Sequence, residues 1–471
     1  MYPSASPLAN PMKKGYLLLL LALATPTPAF PQFFPYTVAK KTLKNQLDVI
    51  VIEAPEFKHV LSYNTLVLAG TRNEIEAGKT GLAHLFEHIL FRHRWKGEVN
   101  GYDRAINRIG AFNNGWTDFD VTYYHPLTFT SRLVPHQGEP GLPQLEADRF
   151  QHLDFDEEIF KTEAGAVFGE YRRGASDPGL KIREQLLTLM FPDHSYGHTT
   201  IGYLEDVKDM PNEYEAALEF YRTYYRPNNV VLVVAGDVHS EQIFALAEEL
   251  YGSWEPAQLP SIPVRGTAPG AKREHVTWGA DVPPRISYAY RMPAFQPASA
   301  EGAVGQMLSE LLAGETSPLY QLLRYEKKTA SQLSVYSGDY ESFDPRYLAL
   351  SSTLFKDQYR AKGTAYLDHV IADMESAFEA LKRFSQDPDA SKTLEELKGK
   401  YRYDLLAMLD SPANIAMQFA WYYRFQRSPR ILDLLADAIQ ALQPADIDAF
   451  ATRHFLEKNR VIVTMTPEEE Q

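Results

Sequence analysis

Short apolar runs alternate with amphipathic stretches along this chain, and their periods separate strands from helices. Runs of branched residues at 47–52, 60–68 and 230–234 are short and almost uniformly apolar, and read as strands. The stretch 113–124 alternates well enough to read as one further strand. Apolar positions three and four apart predict helices over 145–150, 157–173, 213–224 and 240–251. The third of these stops before Arg226-Pro227, because proline disfavours helical backbone in the residue ahead of it. Residues 254–273 break the pattern, and Pro256, Pro260, Pro263, Pro269 and Gly270 mark them as a linker. Beyond the linker the order repeats. Strands are expected at 285–290, 332–338, 347–353 and 461–465. Helices are expected at 298–313, 363–381, 390–409 and 445–455, the last entered just after Pro444. The mixture predicts an α+β fold with antiparallel or mixed sheets, divided into domains at 38–253 and 274–471.

Composition narrows the class. At 471 residues, 45% of them hydrophobic, the chain is long enough for two domains with sizeable cores. A net charge of −14 argues against a nucleic-acid partner, which requires a basic footprint. Residues 1–30 are set apart from the fold. Lys13-Lys14 precede an apolar run over 15–24 and a small-residue exit near Ala29, the order of a secretory signal peptide. The run is about half of what a bilayer span requires, so no stable membrane span is expected. Met12 is a candidate start, and export to the periplasm or medium is expected. The chain has no cysteine, which excludes disulfides, thiolate metal ligands and a lipoprotein attachment site.

The densest chemistry is His84-Leu85-Phe86-Glu87-His88. Residues four apart share a helix face, so one ion can touch both imidazoles while Glu87 points at it without ligating. This H-x-x-E-H spacing, the reverse of H-E-x-x-H, reads as a zinc peptidase motif. Leu82, Leu85, Phe86, Ile89, Leu90 and Phe91 leave little of such a helix free to face water. A partly buried Glu between two His then needs a compensating charge, which a divalent cation supplies. A catalytic zinc usually takes a third protein ligand. The best source is 163–173, where Glu163 and Glu170 share a helical face with Val167. The alternative is a pair of surface glutamates bridged to Arg172 or Arg173.

These residues, with several other segments, resemble the pitrilysin family of zinc peptidases (the inverzincins), in its bacterial processing-peptidase-like branch. The E-x6-E pair Glu163/Glu170, the edge segment 114–124, the loop 194–202 and the passage 220–237 all carry the match, which covers most of 38–253. The second half matches more weakly, chiefly at 317–324. The resemblance implies two homologous α+β domains facing each other as a clamshell. It implies one zinc ion per chain held by His84, His88 and Glu170, with Glu87 as general base and Glu163 orienting the ligands. It also implies substrate binding by Asn114, Gly115 and Thr117 on an edge strand, to which an extended peptide adds as a further strand. Two departures stand out. The gap from His88 to Glu170 is longer than usual, with the extra residues assigned to a Pro/Gly-rich loop at 133–143. More important, the family's Arg and Tyr seven residues apart are incomplete. Arg324 is present, but Ser331 stands where the Tyr belongs, and Tyr325 and Tyr336 are out of register.

The expected function is a zinc-dependent endopeptidase acting on peptides or unfolded segments. The missing Tyr points to a homologous subunit that supplies an Arg/Tyr pair, in a heterodimer or a homodimer. A non-catalytic assembly or binding subunit that keeps the fold is the alternative. A zinc-storage module is a third, poorly served by one deep helical site. His93, His125, His152, His198 and His239 read as structural or exposed.

Overall fold

A computed structural model describes residues 32–262, 268–336 and 340–468. The segment 1–30 and part of the linker lie outside the described residues. Two mixed sheets form the frame. The first contains β1 (Thr37–Thr42), β2 (Asp48–Glu53), β3 (Val60–Val67), β4 (Gly115–Thr117), β5 (Thr122–Tyr124), β6 (Leu127–Phe129) and β7 (Val230–Gly236). Its order is β1-β2-β7-β3-β5-β4, with β6 on the other end of β3. The second contains β8 (Lys272–Trp278), β9 (Arg285–Arg291), β10 (Ala330–Val335), β11 (Tyr347–Leu354) and β12 (Arg460–Pro467), in the order β10-β11-β9-β12-β8. Each sheet has one parallel pair, β2–β7 and β8–β12. Read from those pairs outward, the paths coincide: β2-β7-β3-β5-β4 in one, β8-β12-β9-β11-β10 in the other. The two halves are therefore homologous α+β domains, and they face each other as a clamshell.

Six helices build the site and the junction between the domains. They are α1 (Leu82–Leu90), α2 (Glu157–Gly174), α3 (Pro178–Met190), α4 (Ala300–Ala313), α5 (Ala390–Ala407) and α6 (Pro412–Gln426). Helices α1 and α4 hold the same place in the two halves, each following the third strand of its path, yet α4 has no histidine.

Both faces of the first sheet are buried, which is why its central strands are uniformly apolar instead of alternating. Val230, Leu232 and Val234 of β7 join Val49, Val51, Phe86 and Val167 in one core. Val231, Val233 and Ala235 point the other way, into a core shared with Ile415, Phe419 and Tyr423 of α6. The exchange is mutual. Ile182, Leu186 and Met190 of α3 pack against Val461, Val463 and Met465 of β12. Each domain thus lends a helix to the other. Each large apolar side chain so buried stabilises the pairing by about 1.5–3 kcal/mol.

Several expectations are corrected. The single strand expected at 113–124 is a hairpin of β4 and β5, because Asp118–Val121 turns back on itself, with the Asp118 amide donating to the Val121 carbonyl. The helix expected over 363–381 starts at Thr364; a separate helix, Lys356–Lys362, ends at Gly363, whose φ of 64° stops it. Helices α3 and α6 are not among the elements expected from the sequence. Their buried residues do fall at helical spacing, Ile182, Leu186 and Met190 in α3 and Ile415, Phe419 and Tyr423 in α6, and what buries them belongs to the opposite domain. Strand β8 starts where the linker is expected to end. The strand expected at 332–338 is seen over Ala330–Val335, and 337–339 lie outside the described residues. No helix among the described residues is long and apolar enough to cross a membrane.

Candidate metal centre

Helix α1 starts at a place no ordinary residue could occupy. Gly81 has φ 88°, and a Cβ there would meet the Ile201 carbonyl oxygen at 2.3 Å. Gly81 offers no side-chain cap, so Glu74 supplies one from outside the helix. Its two carboxyl oxygens accept from the Gly81 and Ala83 amides, both at 2.8 Å. Burial pushes the Glu74 carboxyl up to about 8, although those amides pull the other way. Leu85, Phe86, Ile89 and Leu90 anchor α1 in the core and leave His84, Glu87 and His88 half-buried on the remaining face.

Helix α2 packs against α1 and brings both of its glutamates to that face. Glu170 Oε2 lies 3.5 Å from His84 Nε2 and 3.9 Å from His88 Nε2. Two helical turns earlier, Glu163 Oε2 accepts from His88 Nδ1 at 3.3 Å, and its Oε1 accepts from Arg92 Nε at 2.7 Å. With Nδ1 donating, Nε2 is the nitrogen that a neutral His88 leaves free for a metal, and it faces Glu170. The other Glu170 oxygen lies 3.5 Å from Arg173, so part of the surface-pair alternative is also present.

Electrostatics separate the two imidazoles. Burial and the neighbouring His88 push His84 down to about 4, which leaves it a neutral lone-pair donor. Burial opposes charge on His88 as well, but the Glu163 hydrogen bond and the charges of Glu170 and Glu87 outweigh it and raise His88. Burial raises Glu87 above the ordinary carboxylate range, partly offset by the Thr117 hydroxyl, which donates to its Oε2 at 2.7 Å.

The donor set fits zinc. One nitrogen from each of two histidines and one carboxylate oxygen lie within 4.8 Å of one another. Tetrahedral zinc with bonds near 2.0–2.1 Å sets its ligand atoms roughly 3.3 Å apart, so the separations observed require only a small closure. His84 Nδ1 is buried without a hydrogen-bond partner among the described residues.

The remaining expected site residues divide by domain. Gly115 and Thr117 lie on β4 beside Glu87: a Cβ on Gly115 would come within 3.4 Å of the Glu87 Cγ. Asn114 is exposed and turns its Oδ1 onto the Gly115 amide at 2.9 Å. Arg324 lies in the second domain, where its Nη1 donates to the carbonyls of Ala330 and Ser331. No contact among the described residues joins it to the His84–His88–Glu170 group. The sequence reading missed Glu74 and Arg92. Arg92 was legible from its place four residues after His88, just past the end of α1; Glu74 was not, because only the fold brings it beneath Gly81.

Comparison with known proteins identifies the class. Residues 49–203 match the model of the insulinase family (peptidase family M16), and residues 213–396 match the peptidase M16 inactive domain. The chain belongs to the M16 family of insulinase- and pitrilysin-like proteins. It is 24% identical over 440 residues to the zinc protease PqqE of Helicobacter pylori, covering 90% of this chain and 92% of that one. It is likewise 24% identical over 383 residues to an uncharacterized zinc protease of Bacillus subtilis, YmxG, covering 79% and 85%. Among solved structures it superposes on a Helicobacter pylori protease with a TM-score of 0.80 at 24% identity, over 92% of this chain and all of that one. Pitrilysin matches with a TM-score of 0.74 at 18% identity, over 93% of this chain and 45% of the pitrilysin chain.

Proposed function

We propose that the protein is a zinc-dependent endopeptidase that hydrolyses peptides or unfolded protein segments. The observation that carries this reading is the convergence of His84, His88 and Glu170 beside a raised Glu87 carboxyl, with a hairpin edge strand directly alongside. His84, His88 and Glu170 would hold one zinc ion. Bound there, zinc supplies Lewis acidity, which makes a water acidic near neutral pH and polarises a carbonyl. Glu87 takes the water proton and passes it to the leaving amine, and its raised pKa suits a group that must both accept and return a proton. Thr117 holds one Glu87 oxygen, which keeps the other for the reacting water. Glu163 fixes the His88 ring and is itself held by Arg92. The open edge of β4 takes the substrate as an added strand, recognising main chain and so tolerating varied side chains.

Ser331 in place of a tyrosine supports a second assignment: the chain is the zinc-bearing member of a pair, and a homologous subunit completes the transition-state contacts. The chain spans about half of pitrilysin and 47% of the periplasmic protease PqqL of Escherichia coli, which leaves room for such a second half. The PqqL name and the composition of residues 13–29 support export to the periplasm.

The test is Glu87→Gln, assayed on a quenched peptide with zinc, with and without a homologous subunit. The variant should keep stoichiometric zinc and lose turnover by about 10²–10⁴-fold, and the parent should gain turnover from the second subunit. Turnover that survives the substitution overturns the base assignment. Full turnover by the isolated parent overturns the pairing. A parent that binds no zinc leaves the non-catalytic binding subunit as the reading.

A further inference from the structure

The two faces of β4 look into different places. Gly115 and Thr117 face α1 and Glu87, whereas Trp116 between them packs into the core that β5 and α6 share. Its ring lies 5.2 Å from Tyr123 and 5.8 Å from Trp421 of α6. On that side a cavity of about 650 Å³ opens between the domains, lined by Trp116 and Trp421 and by Met307, Met408 and Met417, with Leu405 beside them. The volume is in the range of ligand-binding clefts, roughly 300–1,000 Å³.

Strand geometry couples this cavity to the metal centre. Side chains of an added strand alternate between faces in step with the strand it pairs to. A peptide on the free edge of β4 therefore sends the residues beside Gly115 and Thr117 toward Glu87. The residue opposite Trp116 goes to the cavity side.

The chemistry of the walls selects the occupant. The Glu341 carboxylate is fully engaged by the Gln306 amide, the Trp421 indole and the Tyr422 hydroxyl. Lys400 lies 3.2 Å from Glu310 and 2.5 Å from Asp404, so these charges answer one another. Asp118, Arg183 and Arg346 also line the cavity, so its charged groups are of both signs. Between these groups Trp116, Trp421, Met307, Met408 and Met417 present aromatic and thioether surface, and methionines adapt to guests of different shape.

We infer that this cavity is a specificity pocket that takes one large apolar side chain of the bound peptide, the residue lying across from Trp116. The inference rests on the peptidase reading, because it needs β4 to be the substrate strand.

The test is equilibrium binding by fluorescence anisotropy to zinc-loaded Glu87→Gln protein, so that nothing is cut. A labelled ten-residue peptide of Ala, Ser and Thr carries a single Phe, walked along its length, with Lys at the same positions as a control. Phe at one position should tighten binding about tenfold or more over Ala, and Lys there should not. Met417→Lys should abolish that preference and Met417→Leu should keep it. Met408→Lys, at an exposed position, replaces Met417→Lys if the latter fails to fold. Equal affinity for Phe at every position, a preference for Lys, a preference that survives the lysine variants, or no binding by any peptide overturns the inference. Hydrolysis of the same peptides by the parent is read separately. If the parent cuts them without positional preference, the pocket assignment falls and the peptidase reading stands.

Discussion

At the scale of single residues, the distinction between Glu163 and Glu170 decides what the candidate centre can do. Both carboxylates sit on one face of α2, two turns apart, but their surroundings differ. Glu170 is partly open, its side chain 33% exposed, and faces the Nε2 atoms of both imidazoles. Glu163 is buried and already committed to His88 Nδ1 and Arg92 Nε. Burial works against its charge, yet those two donors outweigh it and hold its carboxyl below the ordinary range. Glu163→Gln carries no charge and puts an NH2 group where one of the two accepting oxygens stood, so the hold on the His88 ring weakens. Metal affinity should fall about 10–100-fold, measured by competition with a chromophoric chelator. An affinity equal to the parent's would show that the His88 ring is held by something else. Glu170→Gln, which alters the proposed ligand, should cost more than Glu163→Gln in the same assay.

At the scale of elements, α1 and β4 owe their positions to contacts that neither makes with its own neighbours in sequence. The N-terminus of α1 is capped by Glu74, seven residues before Gly81 and across a turn. Glu74→Ala leaves two buried amides without an acceptor, at about 1–3 kcal/mol each. The expected result is a lower melting temperature together with weaker metal binding. An unchanged melt would mean that water replaces the carboxylate. The hairpin β4–β5 reads as one strand in the sequence because the alternation runs on through Asp118–Val121. Those residues pair the hairpin to itself, and Asp120 within the turn accepts from the Phe343 amide of the other domain at 2.8 Å. The turn is thus a tertiary feature, and its local sequence resembles strand.

At the scale of the whole molecule, the two domains are held by exchanged helices and by a buried polar clasp. Asp344 accepts from Arg72 Nε at 2.6 Å and from His194 Nε2 at 3.2 Å, both of the first domain. Burial works against the Asp344 charge, yet hydrogen bonds from His194 and Arg72 outweigh it and hold its carboxyl below the ordinary value of 3.8. A carboxyl whose folded pKa is depressed contributes stability that is complete above its unfolded pKa. That stability is lost as pH falls through the folded value. The parent should therefore lose part of its interdomain stability below about pH 4. Asp344→Ala should melt about 3–5 kcal/mol less stably at neutral pH, because Arg72 and His194 are left facing a buried void. The variant should also lack that share of the acid sensitivity. Melts recorded from pH 3 to 7 decide it, and a variant as stable as the parent at pH 7 would show that the exchanged helices alone hold the domains.

The sequence by itself determined what depends on local spacing: two histidines and a glutamate on one helical face, two further glutamates on another, and most strands and helices of each half. Periodicity is enough for these, because a helix repeats every 3.6 residues wherever it sits. Only the tertiary structure decided which carboxylate meets the imidazoles and which steadies them, since Glu163 and Glu170 are equivalent by spacing and differ only in what packs against them. The surfaces that bury helices α3 and α6 were hidden for the same reason. The apolar faces of these helices match the opposite domain's sheet, and a pattern read along one chain segment carries no record of the distant surface that buries it.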